Sequence, residues 1–184
     1  MIQQKRLILN YNFILPVLVV GIFSFFINYY YGFIGVMPMD NFVLYNGGYR
    51  VLNGYVPFND YWLVTGPLLD YLNAFFFFIN GTNWKSFIIH SSLFNSIISI
   101  VTYFIFICLK LPKKYAITYS IFFSILFYPV VGTPFVDHHS TFFVILAFLL
   151  FLIHVHISYI FPIQYSLYIC VFRNASFVKI SCLF

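Results

Sequence analysis

The sequence predicts an all-α polytopic membrane protein. Three observations lead there. Apolar residues make up 62% of the chain and charged residues only 7%, whereas a soluble domain holds roughly a quarter charged residues to face water. The apolar residues gather in runs near 13–36, 86–109, 115–132 and 140–161, and ~20 such residues are what a helix needs to cross the hydrocarbon layer. Within that layer every backbone N–H and C=O must be bonded inside the protein, so the runs are expected to be helices. Finally, the basic residues cluster between alternate runs and follow the positive-inside pattern.

About four transmembrane helices are therefore expected. The first follows Lys5 and Arg6; it is too long for a signal-peptide core and lacks a small-x-small cleavage site, so it reads as a retained span. The second contains His90 and Asn95, and polar groups in such a helix usually bond to neighbouring helices. The third is the shortest and has Pro129 near its outer end. The fourth follows Asp137-His138-His139 and has His154 and His156 towards its inner end; these last two are assigned no function. With Lys5 and Arg6 cytoplasmic, Lys110, Lys113 and Lys114 also fall inside, as do Arg173 and Lys179, and only Arg50 and Lys85 are left outside.

The net charge of +5 does not point to nucleic acid, because no basic stripe alternates with stacking aromatics. The bilayer is the expected partner. Cys108, Cys170 and Cys182 have neither metal-like spacing nor an evident pairing and read as apolar filler.

Glu is absent, and the acidic residues are Asp40, Asp60, Asp70 and Asp137. By the parity of the spans, all of them face the non-cytoplasmic side. An ionised group near lipid is costly, so few charges in such a chain suggest functional placement. Asp40, Asp60 and Asp70 occupy the first outer loop, about 37–85, which is long enough for structure of its own. Asp40 fits a helix N-cap and Gly54 a helix stop, with a surface-lying helix between them that Gly47-Gly48 weakens. Turn residues follow at Pro57, Asn59 and Gly66-Pro67. The next stretch, LLDYLNAFFFFI, is too short to span and reads as an interfacial helix ending at Asn80-Gly81, with Asp70 and Asn73 on its polar face.

The ordered series Asp40…Gly48-Tyr49-Arg50-x-Leu52-x-Gly54-x-x-Pro57-Phe58-x-Asp60…Gly66-Pro67-Leu68…Ala74…Phe78-x-x-Gly81 resembles the first outer loop of the GT-C superfamily membrane glycosyltransferases. The nearest set is the dolichyl-phosphate-mannose protein mannosyltransferase-like group. The resemblance covers about residues 8–150, so 1–161 reads as the N-terminal part of a GT-C-type transmembrane domain. The tail, 162–184, matches nothing in that pattern and is expected to be a truncated or frame-shifted end.

The resemblance implies transfer of a sugar, with inversion, from a polyprenyl-phosphate-linked donor to an acceptor on the non-cytoplasmic face. That chemistry needs a base for the acceptor's proton and hydrogen-bond donors or positive charge at the departing phosphate. Asp40, just past the first span, is the implied catalytic base; the plain alternative is a helix cap. Asp60 is a candidate for positioning the acceptor or binding a metal, against a turn residue that bonds its own backbone. Arg50 lies inside the motif and is the better of the outer cations for phosphate; Lys85 reads as an interfacial anchor. Asp137, His138 and His139 form a second cluster for phosphate or acceptor. Asp and His also suit a divalent metal, although consecutive residues rarely bind one ion together, so the metal question stays open. Asp70 reads as structural. Trp62 and Trp84 suit an interfacial aromatic belt. The setting these features suggest is a bacterial inner membrane with a periplasmic site; an endoplasmic-reticulum membrane with a lumenal site fits the same topology. The alternatives are a non-catalytic accessory protein or degenerate fragment and, less naturally, a small transporter component, which would place polar groups mid-helix.

Overall fold

The computed structural model describes residues 11–35, 38–63 and 65–160. The basic pair Lys5-Arg6 and the tail 162–184 lie outside the described residues, as do the ends of the first and fourth expected spans. The described residues form helices α1 (Tyr11–Tyr31), α2 (Pro38–Leu52), α3 (Leu68–Asn80), α4 (Trp84–Cys108), α5 (Lys113–Leu126) and α6 (Val136–Ile160), with a 3₁₀ turn at Tyr128–Val130. Two compact units are distinguished, Met1–Leu146 and Ala147–Phe184. The candidate site belongs to the first; of the second, the later turns of α6 are described.

Three helices are long and apolar enough to cross a membrane, over Ile14–Tyr31, Trp84–Cys108 and Val136–Val155. The expected third span differs. Helix α5 has 14 residues, about 21 Å at 1.5 Å per residue, against a hydrocarbon core of about 30 Å. Its last turn gives way to a 3₁₀ turn containing Pro129, which has no N–H to continue the helix.

Helices α1, α4 and α5 pack through polar and small residues. The Asn95 amide donates to the Ser24 carbonyl (2.8 Å) and the Ser124 carbonyl (3.1 Å), tying α4 to both neighbours. The Asn28 amide donates to the hydroxyls of Ser91 (2.9 Å) and Ser92 (3.1 Å). The Ser96 hydroxyl donates to the Gly21 carbonyl at 2.9 Å; a Cβ on Gly21 would stand 2.9 Å from Ile100 Cδ1. In hydrocarbon, small residues permit this approach, and side-chain hydrogen bonds fasten it. Asn95 therefore has the interhelical role expected of it.

The same logic shapes the end of the bundle where the site lies. Gly132 has φ +75°, and a Cβ there would come within 2.7 Å of Gly32 Cα. Its carbonyl accepts from the Ser91 hydroxyl at 2.8 Å. The link between α5 and α6 is thus pressed onto the C-terminal end of α1, which brings the start of α6 to the end from which α2 departs.

Helices α2 and α3 form a hairpin at that end. Helix α2 runs through Gly47-Gly48, where weakening was expected, because α3 crosses there. A Cβ on Gly47 would strike the Asp70 carboxylate, and one on Gly48 would strike Asn73 Cβ. The polar face of α3 consequently points inward: Asp70 is 1% exposed and Asn73 0%, a correction to their expected place on an outer polar surface. Beneath the hairpin, Leu44, Leu69, Phe77 and Phe87 form a buried cluster against which Tyr45, Trp84 and Phe135 pack. Burying each such side chain away from water contributes about 1.5–3 kcal/mol. Gly54, at φ +87°, ends α2 as expected. Helix α4 starts at Trp84, capped by Asn83, whose side-chain oxygen accepts from the Ser86 N–H at 2.8 Å; this satisfies a helix-end donor that would otherwise lack a partner.

Candidate functional site

Between the hairpin and the first turn of α6 lies a cavity of about 410 Å³, lined by Asp40, Asp70, Asp137, Trp62 and Thr65 among polar and aromatic groups, and by Val43, Leu44, Leu63, Phe135 and Val136. No basic side chain occurs among these lining residues. Carboxylates from α2, α3 and α6 therefore meet around one space.

Each predicted residue has a definite place. Asp40 is exposed and lies in the first turn of α2. The helix begins at Pro38, so Asp40 is inside it and does not cap it; its charge there favours the positive end of the helix dipole. Asp137, in the first turn of α6, is likewise exposed at the cavity.

Asp60 is not among the cavity's lining residues. Its carboxylate accepts from the Val56 N–H at 2.7 Å and the Asn59 amide at 2.8 Å, the turn-forming alternative weighed for it. Arg50 is also absent from the lining; its guanidinium lies 5.0 Å from the centre of the Tyr61 ring. Trp62 is 81% exposed at the cavity. Trp84 instead packs inward, its indole N–H donating to the Gly32 carbonyl at 3.3 Å. Lys85 is exposed at the start of α4.

The run Asp137-His138-His139 does not act as one cluster. Successive residues on a helix point about 100° apart, and these three diverge accordingly. Asp137 meets the cavity. The His138 ring sits among Phe127, Tyr128 and Phe135. His139 is 5% exposed and turns towards α4. Among the described residues no trio of His, Cys, Asp or Glu side chains is placed to hold a metal ion.

His139 instead joins a buried hydrogen-bond chain. The Asn73 amide donates to the Leu44 carbonyl at 3.1 Å, so its oxygen is the acceptor facing His90 Nδ1 at 2.7 Å. His90 Nδ1 must then carry the proton. The Nε2 atoms of His90 and His139 stand 3.1 Å apart, and His139 Nδ1 lies 3.0 Å from both the Tyr128 hydroxyl and the Phe135 carbonyl. These contacts link α6, α4, α3 and α2 behind the cavity. The interhelical role expected of His90 is met; His139, expected at the site, lies buried among these contacts and is not among the residues lining the cavity.

Sequence reasoning missed Asp70. It is the buried member of the three cavity carboxylates, and its Oδ2 accepts from the Tyr61 hydroxyl at 2.7 Å. Burial raises its pKa above the ordinary 3.8; the Tyr61 hydrogen bond and the nearby Arg50 charge pull the other way without reversing the shift. Burial, and then the Asp70 hydrogen bond, push the Tyr61 hydroxyl upward as well. Two signals pointed here: an Asp and an Asn three residues apart on a short helix, and a Gly-Gly pair on the preceding one.

The raised value of Asp70 has a consequence for stability. A carboxyl whose pKa is higher folded than unfolded favours the folded state fully below 3.8 and loses that contribution as pH rises through the folded value. In detergent melts, the stability of the wild type relative to Asp70→Asn is therefore expected to fall as pH rises from below 3.8. A pH-independent difference between the two would contradict this burial.

Comparison with known proteins finds no matching family model, no matching curated protein and no matching solved structure.

Proposed function

We propose that the chain is a GT-C-type membrane glycosyltransferase, or its N-terminal part, that moves a sugar from a polyprenyl-phosphate donor to an acceptor outside the cytoplasm. The observation that carries this reading is the shared cavity of Asp40 and Asp137 at the ends of apolar helices. The ordered motif from Asp40 to Gly81 adds to it. In this reading α5 and the 3₁₀ turn carry the chain back across the layer, giving four crossings. The amino terminus is cytoplasmic, and the cavity opens to the periplasm of a bacterial inner membrane.

Asp40 takes the proton of the acceptor as its oxygen or nitrogen attacks the anomeric carbon. The bond from that carbon to the phosphate oxygen breaks on the opposite face, the electron pair leaves with the phosphate, and configuration inverts. Asp137 and Trp62 line the space where acceptor and sugar meet. A lipid-borne donor explains why such a cavity sits at the end of membrane helices.

A second reading is a non-catalytic membrane accessory protein. It is favoured by the lack of a basic side chain among the residues lining the cavity, since a departing phosphate calls for positive charge or hydrogen-bond donors. The deciding measurement is transfer of radiolabel from a panel of polyprenyl-phosphate sugars by the purified chain in lipid vesicles. Labelled acceptor is the expected result. Folded protein that transfers no label from any donor would leave the accessory reading standing.

A further inference from the structure

His90 on α4 and His139 on α6 are buried, and their Nε2 atoms stand 3.1 Å apart. Each Nδ1 faces an oxygen that can only accept. For His90 it is the Asn73 side-chain oxygen at 2.7 Å, held in that orientation because the Asn73 amide nitrogen donates to the Leu44 carbonyl. For His139 it is the Phe135 carbonyl at 3.0 Å. The Tyr128 hydroxyl lies at the same distance from His139 Nδ1 and serves either as donor or as acceptor. Both Nδ1 atoms therefore carry hydrogen, and a neutral imidazole carries only one. Both Nε2 atoms are then lone-pair acceptors that face each other. Two acceptors this close repel unless a cation joins them. Histidines that ligate a metal have this arrangement, the other ring N–H being donated to a carbonyl-type oxygen.

We propose that His90 and His139 form a two-coordinate site for one soft monovalent metal ion, Cu(I), bound through their facing Nε2 atoms and clasping α4 to α6. The donor set selects the ion. Among the described residues no third His, Cys, Asp or Glu joins the pair to hold a metal, whereas zinc takes three or four protein ligands. The cost of burying an ion rises with the square of its charge, so a divalent ion on two neutral rings is strongly disfavoured. The neighbours are aromatic. Phe76 stacks on His90 with ring centres 4.4 Å apart, and Phe94 packs against both rings, 5.0 Å from His90 and 4.5 Å from His139. Aromatic faces favour a cation.

His139 also lines a smaller cavity of about 210 Å³ with Leu72, Ser140 and Phe143, which gives the ion an approach and the ring room to turn. Metal–imidazole bonds are about 2 Å, so a linear N–Cu–N unit sets the Nε2 atoms roughly 4 Å apart. The ion binds and leaves as Cu(I), with no change of oxidation state. The site is independent of the glycosyl-transfer reading, since neither histidine is among the residues lining the carboxylate cavity.

The full chain in detergent, kept anaerobic and given Cu(I) against a competing Cu(I) chelator, tests this without turnover. The expected result is one Cu(I) per chain and a melting temperature that rises with added Cu(I). X-ray absorption of the loaded wild type should show two nitrogen neighbours at about 2 Å and no sulfur. His90→Gln and His139→Phe should each lose the ion and the rise in melting temperature. A chain with His138, His154 and His156 changed to Gln, and Cys108, Cys170 and Cys182 changed to Ser, should keep both. That chain retains His90 and His139 as its only histidines, so the assignment does not depend on the ligand variants folding. Failure of the wild type to retain Cu(I) would overturn the proposal and leave a shared proton as the joining cation. Sulfur in the metal's shell, undiminished binding in folded His90→Gln or His139→Phe, or loss of the ion from the folded chain lacking the other histidines and cysteines would also overturn it.

Discussion

Asp40→Asn is expected, on the proposed glycosyl-transfer function, to lower kcat for sugar transfer by roughly 10²–10⁴-fold, the usual contribution of a positioned general base. Asparagine has nearly the same shape and keeps a polar side chain in the first turn of α2, so the helix should survive. Asp40 is exposed, which removes the large folding penalty that a buried substitution would bring. The loss should fall on kcat, with KM for the lipid donor little changed, because the interaction removed is made as the proton moves in the transition state. Steady-state rates at saturating donor, on protein with an unaltered melting curve, provide the check. A rate equal to the wild type would remove Asp40 from the chemistry and leave its helix-dipole role as the whole of its function.

The second large effect concerns folding. Gly48→Val is expected to destabilise the protein by roughly 3 kcal/mol, the upper end of the usual overpacking range. The reason is the stiffness of what the new side chain would meet. A Cβ on Gly48 would collide with Asn73 Cβ and stand 3.1 Å from Phe77 Cε2 and 3.2 Å from the Asn73 backbone carbon. Asn73 Cβ and the Asn73 backbone carbon cannot swing aside without moving α3. Replacing a helical glycine normally helps the helix, by about 1 kcal/mol for alanine, so the expected sign is opposite to what propensity alone gives. Gly35→Ala is the control: nothing lies within 4 Å of its added Cβ, and a change within roughly 0.5 kcal/mol is expected there. Thermal or denaturant melts of both variants in one detergent make the comparison. Equal melting of Gly48→Val and wild type would mean that α2 and α3 do not cross at this point. Because Asp70 sits against the neighbouring Gly47, a separation of these helices would also free Asp70 from Tyr61.

The helices were largely legible in the sequence because their cause is local. The apolar runs at the first, second and fourth expected spans appear as long helices, and Gly54 and Gly81 stop α2 and α3 with positive φ. The third run was harder to read: its composition suited a span, but the helix that starts at Lys113 ends at Leu126, ahead of Pro129, after 14 residues. Asp40 and Asp137 both line the cavity, from the first turns of α2 and α6. The remainder of the candidate site was not legible in this way. Asp60 and Arg50 belong to the same motif as Asp40, yet Asp60 bonds the turn around it and Arg50 lies over Tyr61. His138 and His139 adjoin Asp137 in sequence, and the helical rotation sends each elsewhere.

Hydropathy and charge placement alone determined that this chain is helical and apolar enough to cross a membrane, because both act residue by residue along the backbone. They also determined which few residues could carry charge. Only the tertiary structure decided that Asp70 is the buried carboxyl of the cavity and that the His90 and His139 rings meet between α4 and α6. Burial and hydrogen bonding depend on which faces meet, and here that depends on contacts such as Gly47 with Asp70 and Gly132 with Gly32, between residues far apart along the chain.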